Sequence, residues 1–374
     1  NNSTTNTCLC PPAYYGDRCQ YQNQRISLAL KFHASSDSLQ TPFVILILLI
    51  DNSEQRLIHS YEQLTYLAIY DCNIKFNVYL YYARRPKDPT KNYSIHIDIY
   101  EKLSFNYRGS FYFPIEFSFL PVHRLAYIIN IPHKNDKILT CSKSQCIHGK
   151  CIYYINRISK QSFCQCDPNW TGEDCSIPYQ CTCSLSSRCI GISSDNRSIC
   201  ICPIDKFGPR CYIHIDCQSK CQNDGQCILS DDFLMLDRTY RCICKDGFTG
   251  EQCEIPNSKF SLSFEKHLDI EQSIYLHFIQ LFNSTIEPLR STTHRTAVIR
   301  PESLIIYWSQ PFHLVFIQPT LSTYYLVLLQ RNYQQSKEIN KLITSTDRCL
   351  HINEIFNETF LQWHLIRRIK YYHL

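Results

Sequence analysis

Glycine is scarce in this chain: 374 residues contain 9, and only Gly109 lies outside short cysteine-rich stretches. No apolar run reaches the ~18 residues that cross a bilayer as a helix; the longest, Phe43 to Ile50, has the length of a strand. A helical membrane span within these residues is therefore excluded. Charge of either sign is modest. A formal net charge of +5 implies neither nucleic acid nor an anionic membrane surface as partner. Catalytic signatures are missing as well: there is no nucleophile elbow, no helical pair of histidines flanking a glutamate and no phosphate-cradling glycine loop. The 14 histidines are scattered, and His96 and His313, on alternating stretches, are expected to face solvent. The expectation is a non-enzyme without a cofactor. The chain opens Asn1-Asn2-Ser3, with neither a methionine nor an export signal.

Cysteine is what the sequence has in excess. There are 23, of which Cys8, Cys10 and Cys19 lie at one end and 18 fall between Cys141 and Cys253. Only Cys72 and Cys349 stand alone. Dense, regular cysteine is how segments too small to bury a core stay folded in oxidising compartments. One unit recurs four times: Cys-x-Cys, eight residues, then Cys. It ends at Cys19, Cys175, Cys211 and Cys253, with Gly16, Gly172, Gly208 and Gly250 three residues earlier. Tyr14 and Tyr15, Trp170, Phe207 and Phe248 precede those glycines by one or two positions. A tight turn that needs glycine's backbone freedom, capped by a ring and closed by a disulfide, accounts for the combination.

Three instances are preceded by three more cysteines. The resulting sets are Cys141, Cys146, Cys151, Cys164, Cys166 and Cys175; Cys181, Cys183, Cys189, Cys200, Cys202 and Cys211; and Cys217, Cys221, Cys227, Cys242, Cys244 and Cys253. From sequence alone, six cysteines allow 15 pairings per module. Their order and spacing resemble the epidermal-growth-factor-like (EGF-like) module, as does the segment CQNDGQC from Cys221 to Cys227. The resemblance implies pairing of first with third, second with fourth and fifth with sixth cysteine. That gives Cys141–Cys151, Cys146–Cys164 and Cys166–Cys175, and the same in the next two sets. The middle set departs slightly, with one residue between Cys181 and Cys183. Cys8, Cys10 and Cys19 match the last half of such a module, which implies Cys10–Cys19 and leaves Cys8 without its partner. The chain therefore reads as a piece of something larger.

The two long segments, 20–140 and 254–374, read as copies. Seven residues after the closing cysteine, one starts Ile26-Ser27-Leu28-Ala29-Leu30 and the other Phe260-Ser261-Leu262-Ser263-Phe264. Both alternate with period two, the mark of a strand with one buried face. Leu67-Ala68-Ile69-Tyr70 is echoed by Leu304-Ile305-Ile306-Tyr307. The unbroken runs Phe43–Ile50 and Tyr324–Leu329 suit central strands covered on both faces. About His351–Tyr371, apolar residues at helical steps suit a helix. The expected fold is mainly β: small disulfide-rich EGF-like modules plus two larger antiparallel β-sandwich-like modules. The expected domains are a remnant at 1–19, a β-rich module at 20–140, EGF-like modules at 141–175, 181–211 and 217–253, and a second β-rich copy at 254–374. The step from Cys19 to Cys141 is 122, and the same step from Cys253 passes Leu374 by one residue.

Other chemistry is weighed against this reading. Zinc modules use Cys-x2-Cys or Cys and His at fixed spacing, whereas the tight pairs here are Cys-x-Cys. Calcium-binding EGF-like modules want acids or amides just before the first cysteine. Asp216, before Cys217, is the least bad candidate, and one carboxylate in apolar surroundings cannot supply the six or more oxygens of a calcium site. Sequons stand at Asn1, Asn2, Asn92, Asn169, Asn196, Asn283 and Asn357, and CKDGFTGEQC marks Thr249 for a sugar by the same family resemblance. Asn169 replaces the glycine of that motif beside Thr171. Lys150, Arg188 and Gln226 stand where O-fucose would need Ser or Thr. The cluster Arg367, Arg368 and Lys370 reads as the wet face of a helix, with an acidic partner such as a glycan as the sharper alternative. Cys72 is expected to be a buried thiol, and Cys349 to pair elsewhere. Interleaved EGF-like and β modules resemble, in architecture, the ectodomains of large multi-EGF receptors. The expected function is non-catalytic recognition of an extracellular protein or glycan, without nucleic acid and with any membrane anchor outside these residues. The alternatives are a matrix or adhesion protein and a secreted enzyme with EGF-like spacers.

Overall fold

The computed structural model describes residues 8–11, 14–52, 56–84, 87–88, 90–117, 119–141, 146–156, 161–214, 216–229, 240–271, 273–282, 288–296, 303–334, 337–355 and 362. Asn1, Asn2, Asn283, Asn357, Arg367, Arg368 and Lys370 lie outside them, as does most of the helix expected at 351–371, of which Ile352–Ile355 is described. The chain forms two compact units. One comprises Asn1–Lys220 with Cys227–Ile243, the other Cys221–Gln226 with Cys244–Leu374.

Each unit holds one seven-stranded sandwich. In the first unit the strands are β1 (Arg25–His33), β2 (Pro42–Asp51), β3 (Ile58–Leu67), β4 (Phe76–Tyr81), β5 (Tyr93–Glu101), β6 (Tyr107–Pro114) and β7 (Val122–Asn130). They form a three-stranded sheet in the order β4-β1-β7 and a four-stranded sheet in the order β3-β2-β5-β6. In the second unit β8 (Ser258–Phe264), β9 (Ser273–Gln280), β10 (Leu289–Thr296), β11 (Ser303–Trp308), β12 (Leu314–Gln318), β13 (Tyr325–Leu329) and β14 (Glu338–Ile343) repeat that plan. Their sheets are β11-β8-β14 and β10-β9-β12-β13. Strand for strand, the two topologies are identical.

Alternation builds both cores. Successive side chains in a strand point to opposite faces, so β1 turns Ile26, Leu28, Leu30 and Phe32 inward against Ile45, Ile47, Ile95 and Ile97 of the facing sheet. The second core is set the same way by Phe260 and Leu262 against Leu276, Phe278, Val315 and Ile317. The four-stranded sheets are antiparallel throughout. Each three-stranded sheet adds one parallel pairing, β1 with β7 and β8 with β14, which alternation cannot reveal.

Two sequence expectations are corrected here. Leu304–Tyr307 lies in β11, whose counterpart is β4: Phe260 faces Ile306 as Ile26 faces Leu80. Leu67–Tyr70 instead ends β3 and enters a one-turn helix at Ala68–Asp71, so the two apolar quartets are not equivalent. The run Tyr324–Leu329 forms β13 at the sheet's edge, where Leu329 is 66% exposed. An edge strand covered on one side needs fewer apolar residues than this run carries.

The fourfold cysteine unit has one local structure. Two-residue strands flank each turn, for example Trp170–Thr171 with Ile177–Pro178 and Phe248–Thr249 with Ile255–Pro256. The glycine at each turn has positive φ, from +88° at Gly208 to +102° at Gly16. That left-handed conformation disfavours any residue with a Cβ.

Candidate functional site

The outer face of the four-stranded sheet β3-β2-β5-β6 is covered. Leu46, Leu48 and Ile50 of β2 and Ile58 of β3 pack on Ile199 of the second cysteine-rich module, which is fully buried. Val44 and Tyr100 pack on Ile201. This explains why β2 is buried at every position: one face belongs to the sandwich core and the other to modules far along the chain. The edges are joined by backbone. Ser194 N–H donates to the Ile58 carbonyl (2.8 Å), and Ile155 N–H of the first module donates to the Ser110 carbonyl (2.9 Å). Asn156 clasps Tyr112 in both directions (2.6 and 3.2 Å). Arg241, from the third module, donates to both carboxylate oxygens of the buried Asp71 (2.8 and 3.0 Å). Within this unit the modules are layers of the sandwich and not spacers.

Under the first module lies a buried polar cluster. Asp98 Oδ1 accepts from His96 Nε2 (2.7 Å) and from the Ser110 hydroxyl. His96 Nδ1 lies 2.8 Å from the Tyr154 hydroxyl and 3.1 Å from an Arg56 guanidinium nitrogen. Arg56 also donates to the Cys164 carbonyl (3.0 Å) and stands over the Phe163 ring at 4.8 Å. A guanidinium can only donate, so Nδ1 is an acceptor and His96 is the neutral Nε2–H tautomer. Burial, set against the pull of Asp98, keeps the His96 pKa below its ordinary 6.5. Burial opposes the charge on Asp98 too, but His96 and the hydrogen bond from Ser110 hold its carboxyl below the ordinary range. Burial likewise drives the Tyr154 hydroxyl far upward.

Histidine, aspartate and serine in contact invite comparison with a hydrolytic triad, and the wiring decides against it. In a triad the histidine lies between carboxylate and nucleophile. Here Asp98 lies in the middle, Ser110 bonds to the carboxylate rather than to the imidazole, and all three side chains are buried. A cavity of about 70 Å³ adjoins them, lined among others by Arg56, Asp98, Gln165 and Arg188.

This corrects the expectation that His96 faces solvent: it is 1% exposed, because the hairpin Gly149–Tyr153 with Ser162–Cys166 brings its module across β5. His313 is half-buried and accepts the Leu281 N–H (3.1 Å). The sequence did carry a signal. A strand apolar on both faces beside one with His96, Asp98 and Tyr100 on its outward positions requires a cover. Arg56, Asp98, Ser110, Tyr154 and Phe163 were missed because that cover is distant in sequence.

The second unit has a groove of about 490 Å³ on the corresponding sheet. His277, Arg290, Phe316, Tyr324, Arg348 and His351 line it, and no carboxylate does so among the described residues. His277 Nε2 lies 2.9 Å from Gln318 Oε1, and its Nδ1 lies 3.0 Å from an Arg290 nitrogen and 2.9 Å from the Thr292 hydroxyl. Burial keeps the His277 pKa below its ordinary value. Arg348 is paired with Glu354; Arg290, exposed and held on His277 Nδ1, is the arginine of the lining with no carboxylate partner among the described residues.

The structure pairs Cys10–Cys19, Cys141–Cys151, Cys146–Cys164, Cys166–Cys175, Cys181–Cys189, Cys183–Cys200, Cys202–Cys211, Cys217–Cys227 and Cys244–Cys253. Cys221 and Cys242 are disulfide-bonded as well. Cys181, Cys183 and Cys189 bring three sulfurs together, all of them in disulfides. Cys8 is a free, exposed thiol, and Cys349 is half-buried. Cys72 is free and exposed, not buried as expected: it caps the one-turn helix at Ala68–Asp71, outside the alternating strand. Asp216 accepts the Gln218 N–H (3.1 Å) and so closes a local turn.

A family profile for the EGF-like domain matches residues 217–252. Protein lin-12 of Caenorhabditis elegans is 30% identical over 120 residues, 27% of this chain and 8% of that protein. EGF-like domain-containing protein 2 of Lottia gigantea is 27% identical over 108 residues, 25% of this chain and 21% of that protein. The chain thus spans between 8% and 21% of the length of these curated relatives. Among the described residues no helix is long and apolar enough to cross a membrane.

Proposed function

We propose, from the premise that this is an EGF-domain chain, that it is a non-catalytic recognition region of an extracellular protein. It is either secreted or part of a membrane protein's ectodomain. Disulfide-stapled modules commonly act through surface, and the observation that carries this reading is the inaccessibility of the triad-like cluster found among the described residues. The groove of the second unit supplies the contrast: it is open, aromatic and lined by no carboxylate among the described residues, which fits an extracellular protein or glycan presenting an anionic group to Arg290. Aromatic faces and an arginine together are enriched where proteins bind partners.

The test is a binding panel of extracellular ectodomains and glycans against the secreted 1–374 chain, run beside a panel of hydrolase substrates. Saturable binding weakened at least tenfold by Arg290→Glu is expected. Turnover that co-purifies with the chain and is lost in His96→Gln would overturn the proposal.

Sugars on its surface belong to the same reading. Asn92 and Asn196 are exposed, and Asn196 sits at the turn between Arg188–Ile192 and Ser198–Ile201. Asn169 is exposed too, but its side-chain oxygen accepts the Cys181 N–H (3.2 Å). Intact-glycopeptide mass spectrometry is expected to find Asn92 and Asn196 more fully occupied than Asn169, and Thr249 modified on its half-buried turn. Full occupancy at Asn169 would count against using the cap as a guide.

A further inference from the structure

We propose that Arg56 and His96 form an acid-released latch that holds the first EGF-like module on the four-stranded sheet. Arg56 is the bridging residue. It enters from the loop before β3, yet its guanidinium is held by the first module, through the Cys164 carbonyl (3.0 Å) and the Phe163 ring (4.8 Å). It also bonds the Tyr154 hydroxyl of that module, and its hydrogen-bond contact on the sheet is His96 Nδ1 at 3.1 Å. That contact exists only while His96 is neutral, because a protonated Nδ1 would set one N–H donor against another and one cation against a second.

The charges facing His96 are few. Asp98, on its own strand, favours protonation, and Arg56 opposes it. From β6 come the hydroxyls of Ser110, on Asp98, and Tyr107, on Ser110 (2.6 Å). The first module contributes the Tyr154 hydroxyl and the Phe163 ring, which meets the imidazole edge-on at 4.6 Å. From the second module, Arg188 stands over Tyr100 at 5.0 Å and donates to the Phe105 carbonyl (2.9 Å). Directly opposite His96 are the apolar Leu48 on β2 and the Tyr112 phenol on β6. Asp98 already bonds at Nε2, so a proton on Nδ1 gains no new carboxylate partner. The Tyr154 oxygen can accept it only by turning its own proton away.

The sign follows from linkage. The docked state holds His96 below its ordinary 6.5, so an undocked, solvated His96 binds the proton more tightly. Docking is therefore fully favoured above about pH 6.5 and weakens as pH falls below it, by at most about tenfold per unit for one proton. Lifting Arg56 releases the carbonyl and ring contacts that tie module to sheet, which turns a local protonation into a movement of the module.

The experiment measures amide exchange in the full 1–374 chain at pH 7.5 and 5.0, corrected for intrinsic rates. The reporters are Ile155 N–H, on the Ser110 carbonyl, and Tyr112 N–H, on Asn156. A reversible loss of protection of roughly tenfold or more at pH 5.0 is expected. In His96→Gln, whose amide can donate to Asp98 and accept from Arg56 without titrating, the acid step is expected to vanish. Should that variant fail to fold, Arg56→Met decides: protection is lower at both pH values, and the acid step shrinks because no cation opposes protonation. Unchanged wild-type protection across this range overturns the proposal, as does a full acid step retained in either variant.

Discussion

Ile199→Asp is expected to detach the second cysteine-rich module from the first sandwich, at a cost of more than ~4 kcal/mol. Ile199 is fully buried between Leu46, Leu48, Ile50 and Ile58, and none of those neighbours offers a hydrogen-bond partner. A carboxylate there loses the burial of the isoleucine, about 1.5–3 kcal/mol, and adds the cost of an unpaired charge in an apolar site. Much of that cost is relieved if the module swings out, so the expected result is a folded sandwich with a freed module. Limited proteolysis should then cut at the junctions around 176–182 and 212–216 while residues 25–130 stay intact. A full-length product as resistant as the wild type would contradict the packing described.

The second large effect is expected from Cys183→Ser with Cys200→Ser. This disulfide closes a loop with a sequence separation of 17, for which chain-entropy reasoning gives about 3 kcal/mol. The disulfides Cys181–Cys189 and Cys202–Cys211 remain, but the module's own buried cluster is only Cys200, Cys202 and Cys211, with Cys183 against it. The module's remaining anchor, Ile199 and Ile201, belongs to the sheet face rather than to a core of its own. The double variant is expected to lose the 181–211 module at 37 °C, uncover Leu46 and Leu48 and bind a dye that reports exposed apolar surface. Mild reductant should reproduce this before the sandwich melts. A wild-type melting curve in the double variant would show that the staples are dispensable.

The sequence was legible where physics is local. The fourfold cysteine-and-glycine unit is a turn that requires positive φ, and it could be read from spacing alone. Ile26 to Phe32 and Phe260 to Phe264 announce half-buried strands, because a period of two leaves few alternatives. Their partners were less legible. Leu304–Tyr307 looks like Leu67–Tyr70 in composition, yet only hydrogen-bond register places it opposite β8 as β4 lies opposite β1. The unbroken Phe43–Ile50 run announces two buried faces but not what covers the second. That cover comes from the second cysteine-rich module, through Ile199 and Ile201, while Tyr154 and Phe163 of the first cover His96 on β5. His96 misleads for the same reason: as an isolated strand β5 would wet its outer face, and only the docked module makes that face dry. Cys72 misled in the opposite direction, since the strand it seemed to border has already ended at Leu67.

Backbone nitrogen-15 relaxation of the 1–374 chain tests the central claim, that the first two cysteine-rich modules are part of the sandwich, most directly. Residues 25–130 and residues 146–211 are expected to report one rotational correlation time at neutral pH. A distinctly shorter time for 146–211 would mean that these modules tumble as free spacers, and the buried cluster around His96 would then not exist in solution.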